Sequence, residues 1–456
     1  MELNRQTLEQ RAVTAAIWGM PIVSVDAMRQ AFFRDAKANY NDVVFWSEPS
    51  DWKNQTTTPN ASARYVYFNF NTKGGPVVVE IPPAVDAGLF GTLLDAWQVP
   101  LADVGPEGED QGKGGKYLLL PPDFRGDAQT DYIVIRPQTF NGYALFRAIP
   151  KSSSAADVSN AIALVKKMRL YPLVKADSPP EQHFVDMTGK LFDGIVRFDG
   201  SFYVSLAQMI NEEPVLTQNR AMMGLLLPLG IEKGKEFKPD TTTQAVLAQS
   251  AREAHGWLMN GLLAYSTHHW PDSRWGVPAA PVAIETAFSF ERTDYLDVDA
   301  RGIGYFSFYA PPKKLGVATF YVGTFKDANG DLLRGEAGYR LRVPPKAPAQ
   351  QFWALTLYDR ETCRVYSRHA APRHRFIRSE DAKEHRRFGG HLHRSEVTRG
   401  QRNELGADSA RARLVSLFPL LRAGEAALRE DMEAAGHREG HLIREGNNDT
   451  RRSANA

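Results

Sequence analysis

Cysteine is scarce in this chain of 456 residues, and its scarcity excludes two kinds of structure. Cys363 is the only cysteine, so neither an internal disulfide nor a cysteine-based zinc site can form. A lone thiol without a catalytic signature around it is more often inert than nucleophilic. We therefore assign no redox, metal-binding or catalytic role to Cys363.

Long apolar runs are also missing. No stretch of about 18 apolar residues occurs, so we expect no transmembrane segment. The first residues, MELNRQTLEQ, are polar and acidic rather than basic and then apolar, so they do not read as a secretory signal. As written, the chain is therefore expected to be soluble and cytoplasmic, with the 43% hydrophobic and 24% charged residues of a globular protein.

Basic residues are concentrated at the C-terminal end. Residues 364–456 contain 19 Lys and Arg against 13 Asp and Glu, and seven of the 11 histidines. The run RRFGGHLHRSE, with His385, His391 and His393 in or beside it, has the composition of a metal site or a nucleic-acid contact. No recognised fold frames these residues and a charge run is usually a solvated surface, so we expect neither metal nor nucleic acid there.

Hydrophobic periodicity divides the rest of the chain into alternating helical and strand-rich parts. Residues 7–36 have apolar residues at helical intervals, interrupted by Pro21. From about residue 43 to 150, short alternating segments such as ARYVYFNFN, GGPVVVEIPP and YALFRAIP predict an antiparallel β-sandwich. Residues 154–265 are mainly helical: SAADVSNAIALVKKM starts with a serine cap, PPEQHFVDMTGKLFDGIV has proline at a helix start, and TTTQAVLAQSAREAHGWLMNGLLAY is amphipathic.

Strand signals return near Ala283 and continue to Tyr358, through GIGYFSFYA, GVATFYVGTF, YRLRVPP and FWALTLYD, which predicts a second sandwich. We therefore expect a multidomain α+β protein. Its predicted parts are N-terminal helices (1–40), a β-sandwich (41–152), a helical domain (153–268), a jelly-roll-like β-sandwich (269–363) and an irregular basic tail (364–456).

Motifs for common cofactors are missing, and we predict neither a cofactor nor a metal. The segment FKDANGDLLRGE resembles the start of a calcium loop, but Leu332 and Gly338 stand where that loop needs Gly and Glu. A hairpin turn at Asn-Gly explains it better. The glycine-rich segment GPEGEDQGKGGKY lacks both the Walker and the dinucleotide-binding spacing, and no G-x-S-x-G nucleophile elbow occurs.

Candidate ligand-binding residues lie where the predicted domains meet. In THHWPDSRW, His269 could act as a base oriented by Asp272, although structural hydrogen bonding is the commoner role of such loop residues. Two sandwiches joined by helices also create a cleft, which is the usual place for a small-molecule site. The predicted site combines the residues Trp97, Asp103, Tyr117, His269, Asp272 and Trp353.

Two long segments resemble a known pair of domains. DAWQVPLADVGPEGEDQGKGGKYLLLPPDF is similar to the signature of domain of unknown function 1254. GYFSFYAPPKKLGVATFYVGTFKDANGDLLRGEAGYRLRVPP, followed by FWALTLYDRETC, resembles domain of unknown function 1214. The resemblance covers residues 8–363 and implies a bacterial protein with an N-terminal sandwich, a helical middle and a jelly-roll-like C-terminal sandwich. It implies no particular activity, and relatives of this kind are often exported.

The resemblance stops after Cys363, where the family pattern continues differently. Back-translation of the tail, read one base later, permits DGSVDIYIGPK and a stretch ending KTWKLPDIE, both of the family type. Met432 must be encoded by ATG, so the shifted codon is TGG and tryptophan falls where the pattern has it. We therefore expect residues 364–456 to be an out-of-frame product, mostly disordered, with at most a stray helix in LVSLFPLLRAGEAALREDMEAAG.

Two functions stay open from the sequence. The first is a soluble bacterial protein that processes a small molecule in the interdomain cleft, with hydrolysis as the reaction class. The second is a non-catalytic ligand-binding or envelope-associated module, which the missing nucleophile, metal and phosphate motifs favour. The sequence selects neither a substrate nor an oligomeric state.

Overall fold

The structure is a computed structural model. It describes residues 2–364 except 61, 127–129, 266, 269–272, 278, 315–319, 335–336, 338, 342–354 and 361–362, together with residues 414–420 and 442–444. Within these residues the fold is mixed α+β, as predicted, and most of its strands belong to the N-terminal half.

The helices largely follow the predicted periodicity. The long first helix continues across Pro21 rather than breaking there. The serine cap is confirmed, since the Ser154 side chain accepts a hydrogen bond from the backbone N–H of Asp157. The α-helices are α1 (Glu2–Arg34), α2 (Ala155–Val165), α3 (Ser201–Glu212), α4 (Arg220–Leu226), α5 (Thr241–Tyr265), α6 (Pro281–Glu285) and α7 (Val298–Ser307).

The strands are short and fall into five sheets. The first nine are β1 (Val43–Phe45), β2 (Asn54–Gln55), β3 (Arg64–Asn71), β4 (Val77–Ile81), β5 (Ala87–Asp95), β6 (Pro100–Val104), β7 (Gly115–Leu119), β8 (Ile133–Ile135) and β9 (Asn141–Pro150). The others are β10 (Arg169–Pro172), β11 (Phe184–Asp186), β12 (Phe192–Asp193), β13 (Thr267–His268), β14 (Gly276–Val277), β15 (Phe320–Thr324), β16 (Tyr339–Leu341), β17 (Thr356–Asp359), β18 (Leu414–Leu420) and β19 (Leu442–Arg444).

The largest sheet has six strands in the order β11-β1-β3-β9-β5-β6. Its pairings are antiparallel except for β1 with β11. A four-stranded sheet, β10-β4-β7-β8, contributes side chains to the same hydrophobic core as one face of the six-stranded sheet and helix α2. Alternation along the strands produces this arrangement, because every second side chain points to the same face.

A helical layer covers the other face of the six-stranded sheet. Helix α1 packs against α3, α5 and α7, and its C-terminal half packs on the sheet through a core that includes Phe32 and Tyr67. The rings of these two residues meet edge to face at 5.7 Å. Polar side chains on this sheet face are therefore enclosed between layers.

Two segments were predicted wrongly. PPEQHFVDMTGKLFDGIV forms strands β11 and β12 instead of a helix, because these residues pair with β1 and β2. The first six residues of GIGYFSFYA form the end of helix α7 instead of a strand, and the last three follow it. The Asp297 side chain caps the backbone N–H of Ala300, and Gly302 allows close contact with α1, since a Cβ there would lie 2.7 Å from the Ile17 carbonyl oxygen.

The C-terminal sheet has the order β13-β14-β15-β18-β17. Strand β18 comes from the basic tail and pairs with both β15 and β17, and β19 pairs with β16. The prediction of disorder or a stray helix is therefore wrong for residues 414–420 and 442–444. Pro419 disfavours a helix interior at this position.

Candidate functional site

One face of the six-stranded sheet carries an unusual set of polar side chains. Strand β3 places Val66, Phe68 and Phe70 in the core shared with the four-stranded sheet. The alternate positions of β3 and its neighbour β9 therefore face the helical layer and the C-terminal segments. We call this set the tyrosine face; its members are Tyr65, Tyr67, Asn69, Tyr143 and Arg147.

The strand register arranges these residues in rows. Tyr65 lies opposite Arg147, and Asn69 lies opposite Tyr143. The two rows are four residues apart along the strands, or roughly 13 Å. Polar groups therefore extend along the face rather than meeting at one point.

Arg147 marks one end of the tyrosine face. Its Nη2 donates a hydrogen bond of 2.8 Å to the Tyr321 hydroxyl on β15, and its guanidinium carbon lies 5.7 Å from the centre of the Tyr65 ring. Its Nε is buried and has no hydrogen-bond partner within the described part of the chain. Burial lowers the pKa of Arg147, but Tyr321 and Tyr65 outweigh that effect and raise it above the usual value. Arg147 is therefore a permanent cation with an unused donor.

Strand β17 borders the same end of the face. Thr356, Tyr358 and Arg360 alternate along the chain and are all buried, each at most 5% exposed. The Tyr358 hydroxyl donates to the Pro59 carbonyl oxygen at 3.0 Å. This junction between the N-terminal sheet and the C-terminal strands therefore combines tyrosine hydroxyls with two enclosed guanidinium groups, those of Arg147 and Arg360.

The other end of the tyrosine face is tightly packed. Tyr143 stacks on Tyr309 with ring centres 4.7 Å apart, and the Tyr67 hydroxyl lies 3.4 Å from that of Tyr309. Tyr67 also donates to Oδ1 of Asn69 at 3.1 Å, while Asn69 Nδ2 is buried without a partner among the described residues. Burial raises the pKa of Tyr67 and Tyr143, so both hydroxyls stay protonated.

The predicted site residue Trp97 lies beside the tyrosine face, in the turn between β5 and β6. Its ring is 4.9 Å from that of Trp18 and 5.0 Å from the guanidinium carbon of Arg301. Asp95, in the same turn, accepts hydrogen bonds from the backbone N–H groups of Trp97 and Val99. Burial raises the pKa of Asp95 to about 7, although the two hydrogen bonds oppose this shift.

Asp103 and Tyr117 were also predicted in the site, and they lie close together. The Tyr117 hydroxyl donates to the Asp103 carbonyl oxygen at 3.3 Å. The Asp103 carboxylate accepts from the Thr92 hydroxyl and from the backbone N–H groups of Lys313 and Lys314. These hydrogen bonds connect the segment after α7 to β6. The geometry therefore gives Asp103 a structural role.

The remaining predicted residues cannot be placed with these three. His269, Asp272 and Trp353 lie outside the described residues, as do His385, His391 and His393 of the basic tail. Arg147 and Tyr321, which form the junction, were missed by sequence reasoning. The only available signal was a charged residue within the strand segment YALFRAIP, directly between Phe146 and Ala148.

Other candidate sites in the described residues are weaker. No group of three or more potential metal ligands occurs there, and no helix among those residues is long and apolar enough to cross a membrane. A hollow of about 410 Å³ lies between α1 and α5, lined mainly by Glu9, Val13 and Glu253, and another of about 290 Å³ lies beside Arg220 and Leu227. Both are open to solvent, and neither includes the tyrosine face.

Fold and site together define a mixed α+β chain with a cationic, tyrosine-lined junction between its N-terminal sheet and C-terminal strands. Residues 40–172 match the family described as protein of unknown function DUF1254, and residues 318–390 match protein of unknown function DUF1214. The two matches occur in the predicted order. The matches begin later than residue 8 and continue beyond Cys363, where we had expected the likeness to stop.

One of two similar solved structures supports the fold. The VPA0106 protein from Vibrio parahaemolyticus shares 15% identity and a TM-score of 0.53, covering 96% of this chain and all of that chain. An uncharacterised protein from Burkholderia cenocepacia shares 11% identity with a TM-score of 0.36, covering 96% of this chain and 94% of that one. No curated protein matches the chain.

Proposed function

We propose that this protein binds a small molecule at the junction between the tyrosine face and strands β15 and β17. The observation that carries the proposal is the unpaired, buried Nε of Arg147 at this junction. A buried donor without a partner costs about 1–3 kcal/mol, and more when the group is charged. A ligand that accepts this hydrogen bond would remove that cost.

Binding without turnover is the better-supported function. The described groups at the junction are hydroxyls and guanidinium groups, namely those of Tyr65, Arg147, Tyr321, Tyr358 and Arg360. Such groups orient a ligand, whereas hydrolysis also needs an activated nucleophile or a positioned base. The hydrolase hypothesis depended on His269 and Asp272, which lie outside the described residues, so it stays a second candidate.

The test compares ligand release with turnover in the full-length chain. We expect mass spectrometry of the denatured protein to detect a stoichiometric small molecule that is depleted in Tyr321→Phe, because this variant loses the hydroxyl bonded to Arg147. Screening against ester, sulfate and glycoside substrates should show no turnover. Turnover would favour the hydrolase, and an intact protein that neither retains nor binds any small molecule would contradict the proposal.

We also propose the finer architecture predicted from the sequence. The six- and four-stranded sheets would form a β-sandwich, which their shared core supports, and residues 269–363 would form a jelly-roll-like sandwich. The domain boundaries near residues 40, 152, 268 and 363 are part of this proposal. Limited proteolysis should cut first near these positions if they separate folding units.

We propose, finally, that the tail after Cys363 is translated out of frame. The support is the single-codon constraint at Met432 and the family-like sequence obtained one base later. Determining the nucleotide sequence around codon 363 in independent isolates tests the idea directly. A one-base difference that restores the family pattern is the expected result, and an identical reading frame in every isolate would contradict it.

A further inference from the structure

We infer that the ligand group recognised at the junction is an oxyanion, and that Arg147 is the residue that selects it. This inference rests on the proposed function and names the chemical class of its ligand. Its basis is the juxtaposition of a partly buried cation, its buried and unused Nε–H donor, and neutral tyrosine hydroxyls.

Charge balance is the first argument. Every hydrogen bond and ring contact of Arg147 within the described residues involves a tyrosine, and no Asp or Glu among those residues forms an ion pair with it. Removing a charge from water is costly unless an opposite charge accompanies it. A neutral ligand would satisfy the Nε donor but would leave the positive charge uncompensated.

The surroundings of Arg147 on β9 differ from those of Arg29, a buried arginine in helix α1. Arg29 lies between two carboxylates, with its Nη2 2.7 Å from Asp26 Oδ1 and its Nη1 2.5 Å from Glu212 Oε2. Carboxylates of the protein itself therefore compensate the positive charge of Arg29. Arg147 has tyrosines in the equivalent role.

Hydrogen-bond chemistry is the second argument. Guanidinium groups bind carboxylates and phosphates through charge-assisted bonds that are roughly twice as strong as neutral ones. The Tyr321 hydroxyl can donate a further bond to the same group, because it accepts from Arg147 and because burial raises its pKa and keeps it protonated. Aromatic rings around the cation would pack against the apolar part of an organic anion.

The experiment uses matched anionic and neutral probes with the full-length protein. Benzoate and inorganic phosphate supply the oxyanion, and benzamide is the neutral isostere of benzoate. Each is titrated calorimetrically into wild type, Arg147→Gln and Arg197→Gln. Arg197 is the matched control, because it is a solvent-exposed arginine paired with Asp193.

We expect at least one oxyanion to bind saturably to wild type and to Arg197→Gln, and about tenfold or more weakly to Arg147→Gln. Benzamide should bind at least about tenfold more weakly than benzoate. One result would overturn the anion inference: benzoate and benzamide bind with equal affinity, and Arg147→Gln does not change that affinity. If Tyr321→Phe nevertheless weakens the binding of both, the proposed binding site is retained. Failure of every probe to bind folded wild type would overturn the inference, whereas release of a neutral molecule from the purified protein would still support the proposed site.

Folding of the variant is checked separately. If Arg147→Gln does not fold, the thermal midpoint of wild type is compared in phosphate, benzoate and chloride at equal ionic strength. An oxyanion that raises the thermal midpoint of wild type, and raises that of Tyr321→Phe by half as much or less, supports the inference. The reason is that the Tyr321 hydroxyl is hydrogen-bonded to the Arg147 guanidinium. Equal midpoints in all three anions contradict it.

Discussion

Asp95 gives the sharpest quantitative prediction of the structure. It is 3% exposed and lies in the turn that also holds Trp97, where burial raises its pKa to about 7 from an ordinary 3.8. The folded chain therefore holds this proton more tightly than the unfolded chain. The favourable contribution is fully present below the unfolded pKa of 3.8 and is lost as the pH rises through the folded pKa near 7.

The magnitude follows from the two pKa values. Ionised Asp95 should reduce the free energy of unfolding by about 4 kcal/mol above neutral pH, since each pKa unit corresponds to about 1.4 kcal/mol. Asp95→Asn keeps an oxygen that can accept from Trp97 and Val99 but cannot ionise. The stability of this variant relative to wild type should therefore rise by roughly 3 kcal/mol between about pH 5 and pH 8.

The assay is chemical denaturation followed by tryptophan fluorescence, because Trp97 and Trp18 lie next to this turn. Asp177→Asn is the control, since Asp177 is exposed and its substitution should leave the pH dependence unchanged. Parallel pH profiles for wild type and Asp95→Asn would refute the reasoning, because they would mean that Asp95 ionises with its ordinary pKa inside the fold.

Two further predictions concern packing and the role of Asp103. Gly142→Ala should destabilise the fold by about 3 kcal/mol or more, because a Cβ there would lie 2.1 Å from Phe70 Cζ, whereas Gly74→Ala meets nothing within 4 Å and should change the melting temperature little. Unchanged melting for Gly142→Ala would contradict the strand packing. Asp103→Ala should accelerate tryptic cleavage after residues 313–314, whose backbone N–H groups it holds, and an unchanged cleavage rate would argue against that anchor.

Local patterns predicted the elements whose signals are strong and self-contained. The alternation in ARYVYFNFN became β3, the long amphipathic segment became α5, and Ser154 caps α2 as expected. Helix α7 was missed because its aromatic residues have strand propensity, whereas the Asp297 cap and contact with α1 favour its helical form. Propensity cannot report such tertiary contacts.

The sequence predicted a ligand-binding cleft between the two sandwiches and the helical domain, and that placement stays a prediction. Arg147 and Tyr321 are 174 positions apart in the chain, so their hydrogen bond depends on sheet packing that no local pattern encodes. Asp103 was conspicuous in the sequence, but its carboxylate is occupied by structural hydrogen bonds.

The most direct test of the central claim is to locate a bound anion at the junction. Crystals of the full-length protein soaked with 4-bromobenzoate would reveal the ligand by the anomalous scattering of bromine. We predict a carboxylate within hydrogen-bond distance of Arg147 Nε, roughly 2.7–2.9 Å. A bromine signal confined to the hollow between α1 and α5, or an Arg147 Nε paired with a protein side chain instead, would contradict the account.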